Sequence, residues 1–415
     1  MSDNITLDAR QGSVPAEQDL TLEVALGIAR SLRPQLVAEQ AATEARTTYS
    51  PEMHQVFKDA GYYRLLVPRA YGGLAWTMPD FVRLMGEVAR GCMSTGWCLC
   101  LGASHALLVS SLWPKSAQDV VFRDGHVVIP STARPGGPAI RVDGGWRLNT
   151  THPYSSGSPY STHYVGQAFE YGPAGGAPVQ QMLFVAPRDA YEIKDDWGNT
   201  LGLKGSGSNT IVFHDAFLPN DHVLEGTMQV DIRSSHTSPG FEQHGNPMHL
   251  APGQGFFGLG LATVFVGGAF GALDEYERLM RERKTAGDAG RAPVARLSDP
   301  DYQRWFGLAT ARLNSAQAII HDTAERWMEI CHRAAAGGEP FTTADDMMLN
   351  MMCREATRLA WSTVQDTIFR TAGSSAAVNG ERMERAYRDL SQAWGHVNMI
   401  IEDSMARTWT ARTLG

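Results

Sequence analysis

The chain has 415 residues, 43% of them hydrophobic, which is enough to bury several sub-domains around a shared core and too much for a short binding module. The formal charge of -8, with Lys and Arg scattered singly, offers no basic stripe to neutralise a run of phosphates and argues against nucleic acid as a partner. Five cysteines (Cys92, Cys98, Cys100, Cys331, Cys353) form no CxxC, so neither a zinc knuckle nor a disulfide framework is suggested and a reducing cytoplasm fits.

Residues 1–10 carry no apolar core that could serve as a secretory signal. Over 20–122 apolar residues recur at three and four spacing, as in Val24, Ile28, Leu32 and Leu36, and predict a bundle of short helices. Ser50-Pro51 reads as an N-cap with proline at the first helical position, and Gly61, Pro68 and Gly72-Gly73 punctuate the region. His105 is isolated in the apolar helical stretch 97–113.

After Gly125 the texture changes to short Val, Ile, Phe and Tyr runs separated by turns such as Asp143-Gly144-Gly145 and Pro173-Ala174-Gly175-Gly176. Strands are predicted at 127–130, 146–149, 161–169, 180–186 and 210–217. His152-Pro153-Tyr154-Ser155-Ser156-Gly157 follows a strand with two hydroxyls beside a glycine, a pattern that suits either a polar ligand or a plain turn. Lys204-Gly205-Ser206-Gly207-Ser208 precedes the last strand with glycines and hydroxyls that could approach a ligand, but it lacks the order of a phosphate loop, and spacing alone slightly favours a mobile turn.

Long helices are then predicted over 254–283, 301–336, 342–371 and 381–412, the material of a four-helix bundle. The uncharged stretch 254–273 lacks flanking Lys/Arg or Trp/Tyr anchors and reads as a buried core helix rather than a membrane span. Gly267 and Gly271 would let another helix approach closely. Gly253-Gln254-Gly255-Phe256-Phe257-Gly258 matches GxGxxG, but no strand precedes it, as a dinucleotide site would require. The Met-rich run 347–352 reads as core packing, and His396 stands alone in the last helix. No HExxH, paired histidine site or GxSxG elbow is present, so no metal or serine nucleophile is expected.

Taken in order, Leu66-Val67-Pro68 with Tyr71-Gly72-Gly73, Ser94-Thr95-Gly96-Trp97 leading to His105, Asp143-Gly144-Gly145-Trp146 leading to Tyr154-Ser155-Ser156-Gly157, Leu203 to Ser208 with Phe217-Leu218-Pro219, residues 369–376, and Tyr387-Arg388-Asp389 followed by His396 form one pattern. It resembles the acyl-CoA dehydrogenase superfamily, and within it the oxygenase components of two-component flavin monooxygenases. The resemblance implies an α+β fold with an N-terminal helical domain (1–124), a central β-barrel-like domain (125–230) and a C-terminal four-helix bundle (231–415). It implies reduced FMN or FAD delivered by a separate flavin reductase, O2, a C4a-hydroperoxide, a small aromatic or heteroaromatic substrate, a homotetramer, and no nucleic acid or membrane partner.

The resemblance also assigns residues. Ser155 and Ser156 look like hydroxyls near the flavin N5 edge, and Trp97 and His105 like walls of the substrate pocket. Lys204, Ser206 and Ser208 match a turn on the flavin phosphate side, and the segment with Phe369, Gly373, Ser374 and Ser375 a part that reaches a cofactor in a neighbouring subunit. His396, His105 and Ser156 are the candidates for proton handling. An arginine common before the first bundle helix is replaced by His244-Gly245-Asn246-Pro247-Met248-His249, with Arg233 the nearest upstream substitute. The rivals are an acyl-CoA dehydrogenase or oxidase, whose carboxylate base is missing from the string after Asp389, a flavin N- or S-oxygenase, and a non-catalytic flavin-binding protein.

Overall fold

The computed structural model describes residues 20–415 except 172–175, 230–231, 233–235, 252, 288–289, 291 and 401. The 1–10 segment, most of the 173–176 turn and Arg233 lie outside the described residues. The N-terminal part is helical: α1 Leu22–Arg46, α2 Pro51–Asp59, α3 Met78–Gly91, α4 Met93–Leu112 and α5 Lys115–Val121. Ser50 caps α2 as its sequence predicts, its hydroxyl accepting the Met53 N–H at 3.1 Å with Pro51 in the first turn.

The middle of the chain forms two sheets from β1 Pro138–Val142, β2 Gly145–Leu148, β3 Thr151–His152, β4 His163–Tyr171, β5 Pro178–Pro187, β6 Glu192–Ile193, β7 Ile211–Val212, β8 Ala216–Pro219 and β9 Val223–Glu225. The larger sheet runs β8-β2-β1-β4-β5-β9 and the smaller β3-β7-β6, and Trp146, Tyr164, Phe184 and Phe213 fill a core of their own between them. Two strand expectations are corrected. Residues 127–130 form no strand but a seam: Ile129 N–H donates to Gly102 of α4 at 2.8 Å, while Val128 O accepts from Thr162 N at 2.8 Å. The 210–217 run splits into β7 and β8 because Asp215 takes a left-handed φ of 48°, its N–H held by Asn149 Oδ1 at 2.9 Å. β1, β3, β6 and β9 are too short or too polar to have stood out in the sequence.

The C-terminal part holds α6 Pro239–His244, α7 Gln254–Glu282, α8 Pro300–Ala335, α9 Thr343–Thr363, α10 Arg370–Ala372, α11 Arg382–Trp394, α12 Val397–Ile400 and α13 Glu402–Leu414. The predicted 342–371 helix runs on from α9 through a π turn at Val364–Phe369 and stops at Gly373, whose φ of 92° ends it. The predicted 381–412 helix is broken at Gly395, so His396 sits in a break rather than within a helix.

Met93–Leu112 and Gly255–Glu282 are each long and apolar enough to cross a membrane, yet 89% of either apolar window is buried inside the fold. Both are core helices. Gly267 and Gly271 do serve close approach: a Cβ would stand 2.5 Å from Gly86 O and 2.7 Å from Arg90 O, backbone atoms of α3. The GxGxxG glycines serve α9 instead of phosphates. Gly255 N–H donates to Asp346 Oδ1 at 2.6 Å, and a Cβ on Gly258 would meet Asn350 Oδ1 at 2.6 Å.

Candidate active site

The candidate residues gather where α4, the β-domain loops and the break after α11 meet. Helix α4 is apolar on every side and almost wholly buried, which fixes Trp97 and His105 a little over two turns apart without a solvent face. The Trp97 indole N–H donates to Ser156 Oγ at 3.1 Å, Ser156 Oγ lies 2.8 Å from Ser208 Oγ, and Ser208 Oγ lies 2.6 Å from Ser206 Oγ. Three hydroxyls thus form one chain ending on an indole. The imidazole of His396 meets Trp97 edge to face, with ring centres 5.6 Å apart.

Backbone contacts hold the two serine loops in register. Gly157 N–H donates to Ser206 O at 3.0 Å, and Ser158 Oγ donates to Gly207 O at 3.0 Å. Tyr154 and Leu203 carry left-handed φ values of 62° and 49°, a conformation costing of order 1–2 kcal/mol at a non-glycine residue, so strain flanks both loops. Leu203 is held there by Asp389 Oδ1, which accepts its N–H at 2.7 Å, while Asp389 Oδ2 accepts from Ser94 Oγ at 3.3 Å. Asp389 belongs to α11, so one buried carboxylate ties the serine turn to the helix that leads into His396. Glu44 of α1 neutralises the flanking arginines, at 3.1 Å from Arg385 and 3.0 Å from Arg388.

Burial lifts the Asp389 carboxyl from the usual 3.8 to about 6, against the opposing pull of the Leu203 N–H. The protonated acid is therefore favoured by folding: its stabilisation is complete below about pH 4 and is lost as pH rises through 6. The difference between the two forms is worth ~3 kcal/mol at most. Denaturation midpoints measured between pH 4 and pH 7 should fall through this window in the wild type, and Asp389→Asn, which keeps an acceptor for Leu203, should flatten that part of the profile. A wild-type profile without the slope would refute the assignment.

Both candidate histidines are held neutral. His105 is buried, its Nδ1 lies 2.7 Å from Ile129 O, and burial lowers it to about 4; its ring lies 5.9 Å from that of Phe257. With Nδ1–H given to the carbonyl, Nε2 is left as an acceptor. His396 is lowered to about 4 by burial and by the charge of Arg354.

Other expected site residues lie apart from this cluster or play a different part. The Ser155 hydroxyl turns into the β-domain, donating to His152 O at 3.0 Å, so only Ser156 of the pair faces Trp97. Ser206 and Ser208 are joined to Ser156 by hydroxyl contacts, so the serine turn and the Ser156 loop form one polar surface. Lys204 opens the turn, half exposed. Phe369 stacks on Tyr387 at 3.9 Å, beside a loop where Arg296 donates to Ala372 O at 2.8 Å and Arg283 to Ser375 Oγ at 2.6 Å, with Gly373 and Ser374 between. In place of the absent arginine, His249 Nε2 lies 3.0 Å from Ser110 Oγ and His244 Nε2 lies 2.8 Å from Gln118 Oε1, which docks this stretch on α4 and α5.

Sequence reading missed Arg354 and Asn350. The Met-rich run 347–352 gives no apolar core face: its methionines are half-buried, and α9 buries Asp346, Leu349, Asn350, Cys353 and Arg354 instead. The available signal was polar residues at every fourth position, 346, 350 and 354, which share one helix face.

Residues 17–113 match the family model described as acyl-CoA dehydrogenase, N-terminal domain, and residues 259–400 the model described as acyl-CoA dehydrogenase, C-terminal domain. The chain is 28% identical over 367 residues to the oxygenase subunit HsaA of a flavin-dependent monooxygenase from Rhodococcus jostii, covering 86% of this chain and 90% of the relative. It is 28% identical over 372 residues to the oxygenase component of an FADH2-dependent resorcinol hydroxylase from a Rhizobium species, covering 88% of each. Among solved structures, the 3-HSA hydroxylase of Rhodococcus sp. RHA1 superposes with a TM-score of 0.81 at 26% identity, over 94% of this chain and 96% of the other. The two domain matches flank the β-domain in the order the fold requires, and together they span more than half of the sequence: the chain belongs to the acyl-CoA dehydrogenase family.

Proposed function

We propose that the chain is the oxygenase component of a two-component flavin monooxygenase, taking reduced FMN or FAD from a separate reductase and using O2 to oxygenate a small aromatic or heteroaromatic substrate. The observation that carries this reading is the cluster of Trp97, Ser156, Ser208 and His396, which offers hydroxyls, an indole and a neutral imidazole. The acid nearest to it along α11, Asp389, already accepts hydrogen bonds from Leu203 and Ser94. An acyl-CoA dehydrogenase needs a free carboxylate base at this place.

The residues fit a flavin. The hydroxyl chain Ser206–Ser208–Ser156 supplies donors and acceptors for the polar edge of a planar ring, and Trp97 and Phe257 supply apolar walls that exclude water. The bound flavin would supply the oxygen chemistry, as cofactors do. The protein's share is positioning and proton handling: Ser156 orients the ring edge, His105 offers Nε2 as an acceptor, and His396 takes a proton from the substrate hydroxyl. The named activities of the relatives, hydroxylation of resorcinol among them, support an aromatic substrate.

A homotetramer is part of the proposal. The 369–375 segment, braced by Arg283 and Arg296, stands apart from the serine chain and is suited to complete a neighbour's cofactor site. The five buried free cysteines support a reducing cytoplasm. Light scattering should give four chains per particle, and a monomer that still binds reduced flavin tightly would contradict this.

The functional test pairs the chain with any NADH-dependent flavin reductase and measures oxygen uptake, hydrogen peroxide and product over a panel of phenols and indoles. The chain alone should not oxidise NADH. Ser156→Ala should raise peroxide released per product by about tenfold, the scale of one lost hydrogen bond. Ser155→Ala should leave that ratio unchanged and lower stability instead. Direct NADH oxidation, or no oxygenated product from any member of the panel, would defeat the reading.

A further inference from the structure

Helix α9 turns a polar stripe into the bundle. Asp346, Asn350 and Arg354 recur every fourth residue and all three are buried. Asp346 holds the N-terminus of α7 through Gly255. Asn350 packs against Gly258, and its Oδ1 accepts from Arg354 Nη2 at 2.8 Å. Arg354 itself is only 2% exposed, yet its other partner is the Met399 sulfur at 3.4 Å from Nη1, and its Nε is buried with no hydrogen-bond partner. Among the described residues no carboxylate lies within 4.0 Å of this guanidinium, and Glu402, whose charge it feels, pairs with Arg358. Burying a guanidinium among neutral partners is strongly unfavourable, and burial does pull this group below its ordinary pKa.

The position of this charge gives it a use. Arg354 acts electrostatically on His396, whose ring packs on Trp97, and Met399, which touches the guanidinium, donates its backbone N–H to His396 O at 2.8 Å. We infer that Arg354 is a specificity-determining residue that pairs with a carboxylate on the aromatic substrate, Asn350 and Met399 holding Nη2 and Nη1 at the end of the guanidinium while its side edge, Nε–H with the second hydrogen of Nη2, faces the anion. A planar fork matches a carboxylate in two parallel hydrogen bonds, which sets the orientation of the ring beside His396 as well as its affinity. The substrate class is thereby an aromatic or heteroaromatic acid. The inference rests on the oxygenase reading for what happens next to that acid, but not for its binding.

The test is anaerobic calorimetry on the whole protein loaded with reduced flavin. The probes are 4-hydroxybenzoate, 4-hydroxyphenylacetate and indole-3-acetate, each titrated against its primary amide. At least one acid should bind about 30-fold or more tightly than its amide. Arg354→Met and Arg354→Gln should erase that preference, and Arg354→Lys should keep part of it. Reduced-flavin affinity should not change, and Arg354→Met should melt at or above the wild-type temperature, because an unpaired buried charge has been removed. Equal binding of every acid and amide by the wild type, or a preference that survives in Arg354→Met, overturns the inference. So does a loss of flavin affinity or of melting temperature in Arg354→Met, which would make the arginine a cofactor ligand or a structural group. Oxygenation of neutral phenols without any acid preference sinks this inference and leaves the oxygenase reading standing. Arg354-dependent acid binding without oxygenation of any compound does the reverse.

Discussion

Replacing His396 with glutamine should slow product formation by about a hundredfold to ten-thousandfold, the range that a lost general acid or base produces. Its imidazole sits against Trp97, at the end of the hydroxyl chain, in the break that follows α11. Burial and the Arg354 charge bring it to about 4, so at neutral pH it is an uncharged proton acceptor. The sign of the pH dependence follows: on this residue's account the rate is flat from about pH 6 to 8 and falls as the imidazole protonates below about pH 5. Rapid-quench single turnovers would measure it, with circular dichroism and reduced-flavin binding as controls for the fold. If His396→Gln makes product at the wild-type rate, the histidine only packs against Trp97, and His105, the other neutral imidazole, becomes the group to change.

A second large effect is expected from backbone packing. A Cβ on Gly202 would stand 2.0 Å from the Arg388 carbonyl oxygen and 2.6 Å from the Asp389 nitrogen, all of it backbone that no rotamer change can clear. Gly202→Val should therefore destabilise the protein by about 3 kcal/mol or more, at the upper end for an overpacked site. The steric push falls on the seam where the serine turn meets α11, so Asp389 would lose its grip on Leu203 and the hydroxyl chain would shift relative to His396. Coupling of oxygen uptake to product should fall in any Gly202→Val protein that remains folded at low temperature. Gly144→Ala is the control: its surroundings are open, and its φ of 75° makes it a strained turn residue that should cost stability without touching coupling. Equal coupling in wild type and Gly202→Val would show that the two loops are positioned independently.

The sequence by itself determined the order of helices, strands and long helices, because each segment carries its own period or its own turn residues. The α7 and α8 boundaries fall within one residue of the predicted ones, since Pro300 and the change from apolar to charged residues near Glu282 mark them locally. The serines, Trp97 and both histidines were legible as candidates through their motifs. Their grouping was not. Which of Ser155 and Ser156 faces Trp97 depends on the left-handed turn at Tyr154, and whether Ser206 and Ser208 lie at one end of a ligand or the other depends on a loop closed from more than forty residues away. The polar face of α9 was hidden by intervening methionines that attract attention by composition while lying half exposed. Only the tertiary structure decided that Asp389 is a buried clamp and Arg354 a buried charge with no carboxylate beside it among the described residues, because burial and partnership are set by what other segments bring to a residue. A local pattern fixes where the backbone goes; the dielectric and the hydrogen-bond partners around a side chain, and hence its chemistry, come from residues distant in the chain.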